Sequence, residues 1–225
     1  MRVLLWCLGV ILALSACSTP NSPNQGAGTE AFGFLKSQLS ARMVTDRPVA
    51  NTAVTVTRSM LKGIDDPLIR SVAERTNAHS LLYIAQINGA SQVWFAPDKV
   101  SLTMQDGVIT QSRGLGADLY SADAAQMIAV IRGAPPGPAM RTHRELDATN
   151  HIVITHYDCV VSRMGAKTIQ ILGTPFQTTL YEERCASGAD AFVNQYWIDS
   201  KRMVRASRQR ISRDFGFVRT ERLID

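Results

Sequence analysis

Histidines, cysteines and a run of arginines are the residues in this chain whose types carry chemistry, and their spacing limits what that chemistry is. His79, His143, His151 and His156 include no pair three or four residues apart, the spacing that puts two ligands on one helix face. His151 and His156 are five apart on an expected strand and so point to opposite faces. No metal site is expected, and the four histidines are assigned to the surface or rim. Gly114, Leu115 and Gly116 lack the third glycine and the following acidic residue of a dinucleotide loop. No G-x-S-x-G, H-E-x-x-H, phosphate-loop or C-x-x-C pattern occurs. No catalytic residue and no cofactor is therefore expected.

Two further sets of side chains are open to a binding role. Lys201 to Arg222 holds eight basic residues. They read either as a face for an acidic polysaccharide or anionic headgroups, or as a solvated face of two strands whose lysine and arginine protect an edge. Alternation puts Arg208 and Arg210 on one face and Arg205 and Arg213 on the other, which favours the second reading. Trp94, Phe95, Tyr157, Tyr181, Phe192, Tyr196 and Trp197 all fall in expected strands. There they read as core, with a sugar-stacking platform as the alternative.

The N-terminus carries an address. Arg2 precedes Val3 to Leu14, an uncharged apolar run of about a dozen residues where a bilayer span needs about 20, so residues 1–16 read as a cleaved signal peptide. Leu14, Ser15, Ala16 and Cys17 resemble the lipobox of bacterial lipoproteins, which implies that Cys17 is acylated and becomes the new first residue. More than one acyl chain gives stable anchoring. By the same resemblance Ser18, lacking the aspartate of inner-membrane retention, implies the periplasmic face of the outer membrane. Residues 17–28 form the lipidated N-terminus and a flexible tether of small, polar, proline and glycine residues, and residues 29–225 a single β-rich periplasmic domain. With Cys7 removed and Cys17 spent on lipid, Cys159 and Cys185 remain in an oxidising compartment and are expected to pair.

The elements that must position these residues are mostly strands. Short helices are expected after Thr29, carrying Phe32, Leu35 and Leu39, over Leu68 to Arg75 behind Asp66 and Pro67, and from Ser121 or Asp123 to Gly133. Strands are expected at Ala53–Arg58, Leu81–Ile87 and Gln92–Phe95, the last two joined by a turn at Asn88 and Gly89. Lys99 to Arg113 reads as a hairpin about a type I′ turn at Asp106 and Gly107. In that register Met104 faces Ile109 and Thr103 faces Thr110, with one face buried and the other wet. After a loop at Ala134–Pro138, strands follow at Ile152–Ser162, Lys167–Leu172, Gln177–Cys185, Phe192–Ile198, Met203–Ser212 and Phe217–Leu223. So many consecutive short strands imply an all-β fold with a few short helices: an antiparallel meander curled into a half-barrel or folded on itself. The 225 residues, 45% apolar and 19% charged with a formal charge of +5, are enough for one sizeable core and too weakly basic for a nucleic-acid binder.

With these residues placed, the chain resembles the group 4 capsule polysaccharide lipoprotein family, of the GfcB/YjbF type. The resemblance is carried by Trp94 to Leu119, with Trp94, Asp98, Leu102, Asp106, Gly107, Ile109, Gly114, Leu115, Asp118 and Leu119 in place. It continues through Cys159, Gly173, Glu183, Cys185, Tyr196, Trp197, Asp199, Val204 and Ser207. The chain departs from the family at Asp199–Arg202, where the usual proline and glycine are missing, and in a more basic final strand. The resemblance implies an outer-membrane lipoprotein working beside proteins that export or assemble extracellular polysaccharide, with a periplasmic companion and a large outer-membrane barrel protein as neighbours. It implies a many-stranded sheet similar to the half-barrel of lipoprotein carriers, and no enzymatic activity. The alternative role is a binding module whose concave sheet face holds acyl chains or a polysaccharide segment.

Overall fold

The computed structural model describes residues 56–147, 149 and 151–225. The signal peptide, Cys17, the tether, the helix after Thr29 and the first half of the strand expected at Ala53–Arg58 lie outside the described residues, and Val56 and Thr57 are not in a strand. Arg58 itself belongs to a 3-10 turn, Arg58–Leu61.

Twelve strands form one antiparallel sheet: β1 Leu68–Ala73, β2 Ala78–Asn88, β3 Ser91–Phe95, β4 Ser101–Gln105, β5 Val108–Arg113, β6 Leu119–Asp123, β7 Pro138–Leu146, β8 Ile152–Ile171, β9 Thr174–Ser187, β10 Asp190–Asp199, β11 Val204–Ser212 and β12 Gly216–Ile224. Their order is β5-β4-β3-β2-β1-β12-β11-β10-β9-β8-β7-β6. Each strand therefore pairs with its chain neighbours, except that β5 and β6 do not pair with each other, and β1 pairs with β12. The two outer strands, β5 and β6, come together, and the curled sheet is a nearly closed barrel with one gap in its hydrogen-bonded ladder.

Side chains bridge that gap. The Ser112 hydroxyl accepts from the Leu119 N–H at 2.9 Å and donates to Asp118 at 2.7 Å. Arg113 donates to the carbonyls of Ser112 at 2.6 Å and Leu119 at 3.2 Å. These bonds satisfy part of an edge that would otherwise be open to pairing with another chain.

The β4–β5 hairpin keeps its expected turn, with Asp106 and Gly107 at φ 49° and 87° and Met104 opposite Ile109. A bulge at Thr103 changes the rest. Thr103 pairs with Gln111 instead of Thr110, and the Thr110 hydroxyl donates to the Thr103 carbonyl at 3.2 Å. The expected alternation holds along β4, where Leu102 and Met104 are buried and Ser101, Thr103 and Gln105 half-buried, but fails along β5, where Val108, Thr110 and Ser112 are buried along with Ile109. Similarly, the β2–β3 turn sits one residue late, at Gly89 and Ala90, because Asn88 still pairs with Ser91.

Three other expectations are corrected. Leu68 to Arg75 is not a helix; β1 occupies it, paired to β2 and β12. Asp66 and Pro67 are a local start signal, and ladders on both sides outweigh it. Residues 138–146 form β7, which sequence periodicity misses because the side chains it buries are Arg141, His143 and Ala139 while Met140 faces out. The strands expected at Ile152–Ser162 and Lys167–Leu172 are one, β8, carried past a bulge at Gly165 whose φ is 112°.

The single described α-helix, α1, spans Ala125–Arg132. Asp123 accepts from the Ala125 N–H at 3.1 Å, and Gly133, at φ 119°, ends the helix with the Ala134 N–H returning to the Ala129 carbonyl at 2.9 Å. This is the left-handed glycine stop expected there. Arg202 donates to the last carbonyls, Val130 and Ile131. The buried face of α1, Met127, Ile128, Val130 and Ile131, packs with Val108, Val204, Tyr157 and Phe192, and α1 lies at the same end of the barrel as the β4–β5 turn, where Arg132 pairs with Asp106 at 2.6 Å. A second cluster around Leu82, Trp94, Leu102 and Ile211 fills the other side of the interior. The tip of the β8–β9 hairpin, with Ile171 and Phe176, packs with Leu61, Leu68 and Leu223 and is held by Arg58, which donates to the Ile171 carbonyl at 3.2 Å and the Leu223 carbonyl at 3.0 Å.

Candidate functional site

The residues with chemistry converge inside the barrel, from β7, β9, β10 and β11. Arg141 and Glu183 are buried to about 1% side-chain exposure and form a two-pronged ion pair, Nε to Oε1 at 3.1 Å and Nη2 to Oε2 at 2.9 Å. Asn194 donates to the same Oε2 at 2.9 Å, and its own oxygen accepts the Arg210 N–H at 2.8 Å. The Tyr196 hydroxyl lies 3.2 Å from Arg141, Glu183 and Gln209. Gln209 then accepts the Ile109 N–H and donates to the Gly107 carbonyl, both at 2.8 Å. This network fastens the β4–β5 tip onto β11, a strand it does not neighbour in the sheet. Burial, the largest single influence, pulls the Arg141 guanidinium down, but the charges and hydrogen bonds of Glu183 and Tyr196 together outweigh it and the net shift is up. Burial first, then Glu183, pushes the Tyr196 phenol well up.

Such a network can hold a fold in register, but Glu183 is occupied on both oxygens and shielded from solvent. Cys159 and Cys185, paired opposite one another on β8 and β9, are disulfide-bonded. Their sulfurs and a Glu183 oxygen lie within 4.8 Å of one another. The sulfurs are bonded to each other and the carboxylate is taken by Arg141 and Asn194, so the trio offers no free donor set for a metal.

A second cluster lies nearer the opposite end from α1. Asp190 receives Arg210 through two bonds, at 2.8 and 3.0 Å, and the Tyr157 hydroxyl at 2.9 Å. The Arg210 bonds lead in holding its carboxyl down to about 2. Burial, helped by Asp190, pushes the Tyr157 phenol up to about 12. His143 stacks beside Phe192 and Tyr157 at ring distances of 5.6 and 5.3 Å. It is 0% exposed, which corrects its assignment to the surface or rim. Its Nδ1 lies 3.2 Å from the Glu145 carboxylate, an acceptor only, so Nδ1 carries the proton. Nε2 has no partner among the described residues.

The basic run is a solvated face only in part, with Lys201, Arg202, Arg213 and Arg219 exposed, and it does not protect an edge. β11 and β12 are central strands. Arg205 is buried between Asp199 and Asp225, Arg208 meets Glu74, and Arg210 and Arg213 meet Asp190. Partners as distant in sequence as Glu74 leave no local signal. Trp94, Tyr157, Tyr181, Phe192 and Tyr196 are buried, as a core reading requires, and do not form a solvent-facing platform.

The turns β1–β2, β3–β4 and β11–β12 and the β5–β6 loop meet at the end of the barrel away from α1, around a cavity of about 210 Å³. Its lining combines polar Ser71, Ser80 and Asp98 with apolar Val100, Leu102 and Phe215. A broader hollow of about 470 Å³ lies beside the 3-10 turn, among Arg58, Lys62 and Leu223.

The family model for group 4 capsule polysaccharide lipoproteins, gfcB and YjbF, matches residues 34–223. The chain belongs to this family. The barrel of this capsule-family lipoprotein is similar to the crystal structure of the hypothetical lipoprotein YmcC from Escherichia coli (K12), with a TM-score of 0.71 and 14% identity over 92% of this chain and 98% of that one. At that identity the likeness is one of fold. No curated protein sequence matches the chain significantly.

Proposed function

We propose that this capsule-family lipoprotein is anchored through Cys17 to the periplasmic face of the outer membrane. There it serves extracellular or capsular polysaccharide export or assembly as a non-catalytic accessory, alongside a periplasmic companion and an outer-membrane barrel protein. The observation that carries the reading is the saturation of the interior: Glu183 is bound on both oxygens and Asp190 is bound by Arg210 and Tyr157. A carboxylate spent on arginine is poorly placed to act as acid or base on a glycan. A tether of residues 18–28 spans at most about 40 Å when extended, a reach that supports a domain working near the inner leaflet of the outer membrane.

The test is fractionation with acyl labelling. Cys17→Ala is expected to lose the acyl label and leave the outer-membrane fraction, and cross-linked wild-type envelopes are expected to yield polysaccharide-export proteins. Normal outer-membrane recovery and processing of Cys17→Ala contradicts the anchor. Cross-links made only to proteins unrelated to polymer export contradict the role.

A further inference from the structure

We propose that the cavity at the open end of the barrel binds one neutral hexopyranose residue, its hydroxyls toward Ser71, Ser80 and Asp98 and its C–H face toward Phe215. The inference rests on the polysaccharide role and names the ligand for it.

The cavity exists because small residues meet across the ladders there. Ser71 pairs with Ser80 and Ala73 with Ala78, where the same strands farther along bring Ile69 against Leu82. Gly114 lets the β5–β6 loop close the wall, since a Cβ there would sit 2.7 Å from the Lys99 carbonyl oxygen. At about 210 Å³ the space falls below the roughly 300–1,000 Å³ of pockets for drug-sized ligands. It suits a single sugar ring and is too small for an acyl chain or several residues of polymer.

The polar lining is prepared for hydroxyl groups. Ser71 is 6% exposed, and its hydroxyl makes no hydrogen bond among the described residues. Ser80 donates to Asp98 Oδ2 at 2.7 Å and the Val100 N–H donates to Oδ1 at 3.2 Å. The carboxylate is thereby oriented while each oxygen keeps acceptor capacity. Val100, Leu102 and the half-buried Phe215 ring share the lining and supply apolar surface for the C–H face of a pyranose. Asp98 is the one charged residue in this lining, and a negative wall disfavours uronic acids.

Saturation-transfer NMR of the full mature chain in detergent, with methyl glycosides of glucose, galactose and mannose, tests this. At least one neutral glycoside is expected to bind saturably while methyl glucuronide does not. Ser71→Ala is expected to weaken binding by about tenfold, the loss of one hydrogen bond. Ala78→Phe, at the exposed rim, is expected to abolish binding with an unchanged melting curve, and Phe215→Ala gives a second reading should Ala78→Phe fold poorly. Absence of saturable binding, wild-type binding by both Ala78→Phe and Phe215→Ala, or competition by laurate for the same cavity overturns the proposal. In cells, normal polymer from Ala78→Phe beside a defective deletion strain overturns the sugar site and leaves the accessory role standing. Normal polymer from the deletion strain overturns the role itself.

Discussion

Arg141 and Glu183 illustrate what a single pair contributes in this barrel. A buried ion pair adds little over a well-packed apolar pair, but removing one partner strands a charge at a cost of about 3–5 kcal/mol. Glu183→Gln is therefore expected to lower the unfolding free energy by about that much in urea titration, and Arg141→Met with Glu183→Leu by less than the single change. Loss of under about 1 kcal/mol in Glu183→Gln would show the pair is not buried as described. His143 gives a pH dependence. Burial holds its pKa below the ordinary 6.5, with Arg141 and Arg210 adding to the shift and Glu145 opposing it. Because the unfolded chain takes up the proton first, stability is full above about pH 6.5 and falls as pH drops through that value. Asp190, held down to about 2 from 3.8, gives a separate loss below pH 4. His143→Phe is expected to flatten the upper window and leave the lower one, and an unchanged upper slope of denaturation midpoint against pH would contradict the assignment.

At the scale of elements, Gly107 and Gly89 both occupy left-handed turn positions but differ in surroundings. A Cβ on Gly107 would lie 2.6 Å from the Val204 Cβ, whereas one on Gly89 meets nothing within 4 Å. Gly89→Ala is expected to cost about 1–2 kcal/mol of backbone strain, and Gly107→Ala a further 1–3 kcal/mol or so as the hairpin tip is pushed off β11. Equal melting temperatures for the two would show that the tip does not seat there. The Asp-Gly turn, α1 with its glycine stop and most strands were legible because their signals are local. The Asp-Pro start of β1 signals a helix, whereas pairing with β2 and β12 decides its conformation. β7 went unread because its inward face carries Arg141 and His143 instead of aliphatics. The environment of the β11 arginines has no local signal either, because Glu74 and Asp190 come to them only through the closing of the sheet, and the cavity follows from which small residues end up opposite one another.

As a whole, the molecule joins a capsule-lipoprotein family assignment to a barrel whose interior carboxylates Glu183 and Asp190 are tied to arginines. The account's central claim is that such a body serves polysaccharide export without catalysing a reaction. The direct measurement is surface polysaccharide in a deletion strain complemented with single Asp→Ala or Glu→Ala variants outside the Asp98 cavity, each checked for stable folding. Deletion is expected to lower or alter the polymer, and every stably folded variant to restore it. A stable variant that matches the deletion would instead place an acid–base residue at work on the polymer and contradict the account.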